Sequence, residues 1–246
     1  GLLHLRQPFL CGQQTKVYFS WFYAKKGEVI MGISQMLMKL AEGMATSCWI
    51  FGITLLFSLP LGMVIAFGRM SKKRIVQGIT KIYISIMRGT PLMLQLMVVY
   101  FGPYYLFGIK ISPFYRNIAV VIGFVLNYAA YFAEIYRSGI ESMPVGQYEA
   151  AEILGYSKSQ TFLHIILPQV IKRILPSVTN EVITLVKDTS LAFVIAVSEM
   201  FTIAKALASS QTSMVPYVAA GIFYYVFNFL VAWIMEKIEK HLSYYR

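Results

Sequence analysis

Long apolar runs, each near the length of a bilayer crossing, alternate along most of the chain with short connections rich in lysine and arginine. A helix crosses hydrocarbon with roughly 20 mostly apolar residues, because its backbone groups then find their partners internally. Five segments meet this requirement: 46–68, 91–107, 118–136, 174–197 and 216–235. The second is interrupted late by Gly102-Pro103, and the fourth is the most polar. Between the first two, Ile75, Ile79, Ile82 and Ile86 repeat at helical spacing, while Lys72, Lys73, Gln77, Lys81 and Arg88 fall towards another side. That pattern predicts an amphipathic helix, either lying in the membrane interface or extending the second span. The pattern as a whole predicts an all-α, polytopic membrane helical bundle of about five transmembrane helices.

Composition agrees. Hydrophobic residues make up 57% of the 246 and charged residues only 13%, about half the charge of a typical soluble domain. The net charge of +11 does not point to nucleic acid, because the basic residues gather where apolar runs end, as cytoplasmic loops do. The connections 69–88, 137–173 and 236–246 hold 13 of the 22 Lys and Arg, whereas 101–117 and 199–214 hold three. The first set is therefore expected in the cytoplasm, with the C-terminus cytoplasmic and the N-terminus outside. Arg6, Lys16, Lys25, Lys26 and Lys39 make the N-terminal region basic for an external one. Residues 1–27 are read as a tail of unassigned role, without the pattern of a cleaved signal, and 28–246 as a single membrane domain. Cys11 and Cys48 are too few for a disulfide framework, and Cys48, inside an apolar run, reads as a small core residue.

The connection 138–173 has its own design. Ser142 is placed to cap a helix with Pro144 in its first turn, running through Gln147, Glu149, Ala150, Ala151, Glu152 and Leu154. Gly155 suits a left-handed C-terminal position. Ser157 and Gln160 have capping-box spacing, and a second helix carries Phe162, Ile165 and Ile166 and is expected to end near Pro168. By pattern alone this helix pair could be mere packing between spans. The identities say more: Glu149-Ala150-Ala151, then Gly155, then Ile165-Ile166-Leu167-Pro168 resembles the EAA signature of ABC importer permeases at every spaced position.

Other stretches resemble the polar amino-acid uptake branch of that family, the permeases related to histidine, glutamine and arginine importers. Arg88-Gly89-Thr90-Pro91-Leu92 with Gln95 looks like its RGTPL..Q motif. Tyr131, Ala133, Glu134, Arg137, Gly139 and Ile140 look like its AY.AEI.R.GI pattern, and Lys187-Asp188-Thr189-Ser190-Leu191 like its KDTSL motif. The resemblance runs from about Gly32 to the C-terminus. It implies a type I ABC importer permease fold in a bacterial cell membrane. It also implies a coupling element, formed by Glu149, Ala150, Ala151, Glu152 and Gly155, that docks into a groove on an ATPase subunit dimer. The other implied partners are a second permease copy or paralogue and an extracytoplasmic solute-binding protein.

Three acidic residues, Glu134, Glu181 and Asp188, fall inside apolar spans. A carboxylate at bilayer depth costs at least ~2.5 kcal/mol, so each is expected to face the bundle interior, a partner or water. Asn127, Tyr131 and Glu134 share one helix face, as do Glu181, Thr184 and Asp188. Two such rows can line one wet path. A zwitterionic amino acid there would find ammonium acceptors in Asp188 and Glu134 and carboxylate donors in Thr90, Thr189, Ser190 and backbone N–H groups, with Gln95, Asn127 and Tyr131 beside them. Alternatively these groups satisfy one another between helices: Glu134 can pair with Arg137, and Thr90 and Gln95 can serve a helix end. Ala129 with Ala133, and Ala192 with Ala196, have the four-residue spacing of close helix packing.

No phosphate loop of the GxxxxGK[ST] type, HExxH, CxxC or GxSxG motif occurs. The chain is therefore expected to be no enzyme and to bind no cofactor itself, leaving ATP and magnesium to its partner. Ion-coupled transport through Glu134, Glu181 and Asp188, or a non-transporting scaffold, are the competing readings.

Overall fold

The computed structural model describes residues 32–242, so the expected tail at 1–27 lies outside the described residues. The described chain forms nine α-helices: α1 Ile33–Arg69, α2 Arg74–Gly89, α3 Leu92–Phe107, α4 Pro113–Glu141, α5 Val145–Ile153, α6 Lys158–Gln160, α7 Leu167–Asp188, α8 Met200–Gln211 and α9 Val215–Leu242. A π-helical turn at Thr161–Ile166 joins α6 to α7, and a 3-10 helix at Thr189–Ile195 follows α7. Three helices, α1, α4 and α9, are each long and apolar enough to cross a membrane. The count reaches five if two bent pairs are each taken as one span: α2 with α3, bent by 110°, and the run through α6, α7 and the 3-10 helix with α8, bent by 60°.

The helix α1 starts 13 residues earlier than the apolar run suggests. Lys39 and Glu42 interrupt the run but are exposed. Meanwhile Met36, Leu40, Gly43, Ser47, Ile50, Thr54, Ser58, Gly62 and Ala66 form one continuous buried stripe. Most of that stripe is small, which lets backbones approach closely. A Cβ on Gly43 would stand 2.7 Å from the Met200 Cα, and one on Gly62 would stand 2.9 Å from the Phe132 Cβ and 3.1 Å from the Ala129 carbonyl oxygen. Gly43 thus seats α8, and Gly62 seats α4. Cys48 lies off the stripe and is exposed rather than part of the core, which in a helix facing lipid carries no penalty.

The 110° bend between α2 and α3 rules out α2 as a straight extension of the second span. Its side facing the bundle carries Val76, Thr80, Tyr83 and Ile84: Thr80 packs on Gly68, Tyr83 Oη donates to the Leu126 carbonyl, and Ile84 is buried.

The fourth span departs most from a simple rod. The α-helix ends at Asp188 and tightens into the 3-10 turn, which stops at Ala196 in the left-handed region (φ 56°). Ala192 is buried but Ala196 is exposed. The two do not form a packing face, because the helix has ended between them. The chain then turns through Glu199, a fully buried carboxylate. It accepts the Phe201 and Thr202 backbone N–H at 2.6 and 2.7 Å, the Thr202 hydroxyl at 2.8 Å and the Tyr224 hydroxyl at 3.1 Å. Glu199 thereby caps α8 and ties it to α9. Ala129 and Ala133, by contrast, are both buried in α4 as their spacing suggests.

Two predictions follow from this packing. Glu199→Ala leaves buried donors without an acceptor, at a cost of about 1–3 kcal/mol; its thermal midpoint in detergent should fall, and Glu199→Gln, which keeps one acceptor oxygen, should fall less. Gly62→Leu should cost about 1–3 kcal/mol by overpacking, whereas Gly52→Leu, where an added Cβ meets nothing within 4 Å, should leave the midpoint unchanged in the same assay.

Candidate functional site: a polar cleft and an exposed helix

The cleft arises where the second span begins. Pro91 has no N–H and breaks the chain between α2 and α3, so carbonyls in the last turn of α2 need other donors. Side chains supply them. Thr90 Oγ1 donates to the Ile86 carbonyl at 2.8 Å. Gln95 Nε2 and Asn127 Nδ2 both donate to the Met87 carbonyl, at 3.0 and 3.2 Å. Gln95 also donates to Thr90 Oγ1 at 2.8 Å and accepts from Asn127 at 3.0 Å. Thr90, Gln95 and Asn127 thus do serve a helix end, and in doing so they join α2, α3 and α4 into one wall.

Beside this wall is a cleft of about 360 Å³ lined by Thr90, Pro91, Leu92, Asn127, Tyr128, Tyr131, Glu181, Thr184, Asp188 and Leu191. Both helix rows meet in it: Asn127 and Tyr131 from α4 face Glu181, Thr184 and Asp188 from α7. Tyr128 Oη donates to Asp188 Oδ2 at 2.7 Å, holding that carboxylate in place, and its second oxygen meets no donor among the described residues. The Arg88 guanidinium sits over the Tyr131 ring, 5.4 Å from its centroid. Glu181 has no hydrogen-bond or ion-pair partner within the described residues.

Some expected residues stand elsewhere. Glu134 does not line the cleft. It forms an ion pair with Arg137, which also pairs with Glu141. One helical turn along α4 beyond Tyr131, it meets a cation on its own helix before it can reach α7. Thr189 is fully buried with its hydroxyl on the Val186 carbonyl at 2.8 Å, and the Ser190 hydroxyl is held by the Lys187 carbonyl at 2.7 Å. Both close the end of α7 where the α-helix tightens to 3-10. Tyr128 was not singled out from sequence. Its signal is its place one residue after Asn127, which puts its hydroxyl across from Asp188.

The second feature is the helix pair at the basic end of the bundle. Ser142 does not cap α5; in the right-handed region (φ −81°, ψ −4°) it closes α4, and its hydroxyl donates to the Gly139 carbonyl at 2.7 Å. Pro144 supplies the extended residue before α5 instead. At the other end Gly155 is left-handed (φ 80°). The N–H groups of Gly155 and Tyr156 return to the Glu152 and Ala151 carbonyls at 2.9 and 3.0 Å, a Schellman closure. Ser157 and Gln160 form the expected capping box. The second helix does not end near Pro168. Leu167 donates to the Phe162 carbonyl across a π turn, which absorbs the bond that proline cannot make, and Pro168 sits in the first turn of α7. The EAA helix therefore stands on the same continuous rod that carries Glu181 and Asp188. Ala151 is buried against the bundle at 1% exposure, while Glu149, Ala150, Glu152, Ile153 (86%) and Leu154 (73%) face outward.

A family model described as "Binding-protein-dependent transport system inner membrane component" matches residues 58–244. The chain is 35% identical over 216 residues to a putative glutamine transport system permease protein of Rickettsia bellii, covering 87% of this chain and 98% of that one. It is 38% identical over 211 residues to an L-cystine transport system permease protein of Bacillus subtilis, covering 83% and 87%. A crystal structure described as an amino acid ABC transporter with histidines superposes with a TM-score of 0.76 at 28% identity, covering 87% of this chain and all of that one. The chain belongs to the family of inner membrane components of binding-protein-dependent transport systems: it is the permease subunit of an ATP-driven ABC importer, whose ATP hydrolysis is carried out by a separate ATPase subunit.

Proposed function

We propose that this permease carries a polar amino acid and binds it in the cleft between α4 and α7. The observation that supports this most directly is the pairing of a held carboxylate with an unpaired one inside a membrane-spanning bundle: Asp188, fixed by Tyr128, and Glu181, two turns earlier on the same face of α7. An ammonium group is a strong partner for such carboxylates, since a charge-assisted hydrogen bond is about twice as strong as a neutral one. Thr90, Asn127, Tyr131 and Thr184 offer further polar contacts. Glu134, Thr189 and Ser190 act behind the cleft, shaping helix ends rather than touching substrate, and Gln95 holds the wall. The relatives are named for different amino acids, so the family supports the class and not one member of it.

The α5 helix is the coupling element. Its outward Glu149 and Glu152 carboxylates and its exposed Ile153 and Leu154 suit a groove on an ATPase subunit that offers both cations and apolar surface. The loop charges favour a cytoplasmic position for this end and for the C-terminus, with the N-terminus outside. A dimer of ATPase subunits, a second permease copy or paralogue and an external solute-binding protein complete the importer. This chain holds no cofactor; ATP and magnesium sit on the partner. Closure of the ATPase dimer pushes α5, and the rod from α6 through α7 transmits that push to Glu181 and Asp188.

Asp188→Asn keeps the shape of the side chain and removes its charge. It should weaken amino-acid binding to the assembled importer by about tenfold or more, as the loss of a charged hydrogen bond implies, while the ATPase subunit still co-purifies. Equal affinity in calorimetry would take Asp188 out of the site. Gly155→Leu forces a left-handed residue out of its preferred state and broadens the docking edge. Substrate-stimulated ATP hydrolysis in proteoliposomes should fall sharply, with the thermal midpoint of the purified permease lowered only by the local strain of about 1–2 kcal/mol at this turn; normal stimulation would remove the loop from coupling.

A further inference from the structure

On the reading that the cleft is the amino-acid site, we propose that Arg88 is a tethered competitor for the substrate. Its guanidinium and the substrate ammonium take turns at Glu181, and Glu134 receives Arg88 while the amino acid is bound.

The geometry starts from Tyr131. Its ring lines the cleft that also holds Glu181. Arg88, in the last turn of α2 just before the break at Pro91, lies over that ring, 5.4 Å from the centroid. The side chain is exposed. It has no carboxylate within 4 Å among the described residues, whose ion pairs join Arg137 to Glu134 and Glu141, and Lys240 to Glu236. A guanidinium over an aromatic face at an exposed site is held more weakly than one bonded to a carboxylate. The Tyr131 ring is therefore a resting place between stronger partners.

Two carboxylates with unused oxygens stand near it. Glu181 makes no hydrogen bond or ion pair among the described residues, whereas Asp188 on the same face of α7 has Tyr128. Glu134 follows Tyr131 by three residues on α4 and is engaged through one oxygen only. Nε and Nη2 of Arg137 both donate to Oε1, and Oε2 meets no donor among the described residues. Both the Glu134 and the Glu181 carboxylates lie within electrostatic reach of Arg88.

Charge then sets the order of events. Two carboxylates facing one cleft inside a bilayer are costly without a cation. Lys187 adjoins Asp188, and Arg88 is the cation in reach of Glu181. In an empty cleft, movement of the guanidinium from Tyr131 onto Glu181 lowers that cost. A substrate ammonium supplies the same charge, and two cations on one carboxylate repel. The incoming ammonium displaces Arg88, and Oε2 of Glu134 offers the displaced guanidinium a charge-assisted bond. Arg137 keeps its pairing with Glu141 throughout. When Arg88 returns to Glu181 it takes the place of the ammonium, so the side chain that yields on binding also assists release.

The test is calorimetry on the assembled importer, with whichever of the common amino acids raises its thermal midpoint most as the probe. Arg88→Gln should tighten binding about tenfold, the gain expected when about nine-tenths of empty clefts hold the competing contact. In a chain carrying Glu181→Gln the same substitution should bring no such gain. Glu134→Gln removes the landing place and should weaken binding severalfold, a loss that should vanish once Arg88 is also Gln. A damaged fold does not tighten binding, so the expected sign is not mimicked by simple destabilisation. Weaker binding in Arg88→Gln would overturn the proposal and make Arg88 a partner of the substrate carboxylate. Unchanged affinity, or a gain that persists without Glu181, would overturn it too. Asp188→Asn measured alongside separates the two readings. Unchanged affinity there removes the cleft itself as the amino-acid site. Weakened affinity there, with no gain in Arg88→Gln, removes only the competition.

Discussion

A peptide group inside hydrocarbon has to find its hydrogen-bond partner within the protein, and the architecture of this permease follows from where that rule is strained. Wherever a span is an α-helix without an internal proline, as in α4 and α9, the backbone satisfies itself and the surface can be plain. At two places the α-helix gives way: before Pro91, and after Asp188, where it tightens to 3-10. The carbonyls left at the first break draw in Thr90, Gln95 and Asn127. The tightened turn at the second keeps Thr189 and Ser190 on the local backbone. The cleft lies between these two breaks. Polar groups recruited to repair the backbone are thus gathered at one depth of the bundle, with Asp188 and Glu181 beside them.

The same continuity explains how a distant nucleotide cycle can reach the cleft. The EAA helix α5 buries Ala151 beside a continuous helical run that passes through the π turn into α7, with Pro176 inside it, and on to Glu181. The helix α2 runs from the turn after α1 to the cleft wall, where its Met87 carbonyl receives Gln95 and Asn127.

Much of this was legible in the residues. The three long apolar helices, the α5 helix with its glycine stop, the Ser157 capping box and the two polar rows facing each other all follow from periodicity and capping chemistry. What could not be read required neighbours. The extension of α1 back to Ile33 depends on α8 covering Met36 and Leu40, which a window average over Lys39 and Glu42 hides. Ser142 has the chemistry of an N-cap but the backbone of a helix end, and only the path of α4 decides between them. Glu134 shares a face with Asn127 and Tyr131, yet its carboxylate is taken by Arg137 on its own helix. Glu199 carries no capping signal in the sequence, because glutamate is not a favoured cap; its role depends on Tyr224, 25 residues away in sequence.

A structure of the assembled importer with its amino acid bound tests most directly whether Asp188 and Glu181 hold the substrate at the level of the Pro91 break. The substrate ammonium is expected within hydrogen-bond distance of the Asp188 carboxylate, with Tyr128 still donating to the other oxygen. An amino acid bound elsewhere along the bundle, with the space between α4 and α7 closed by side chains, would contradict it.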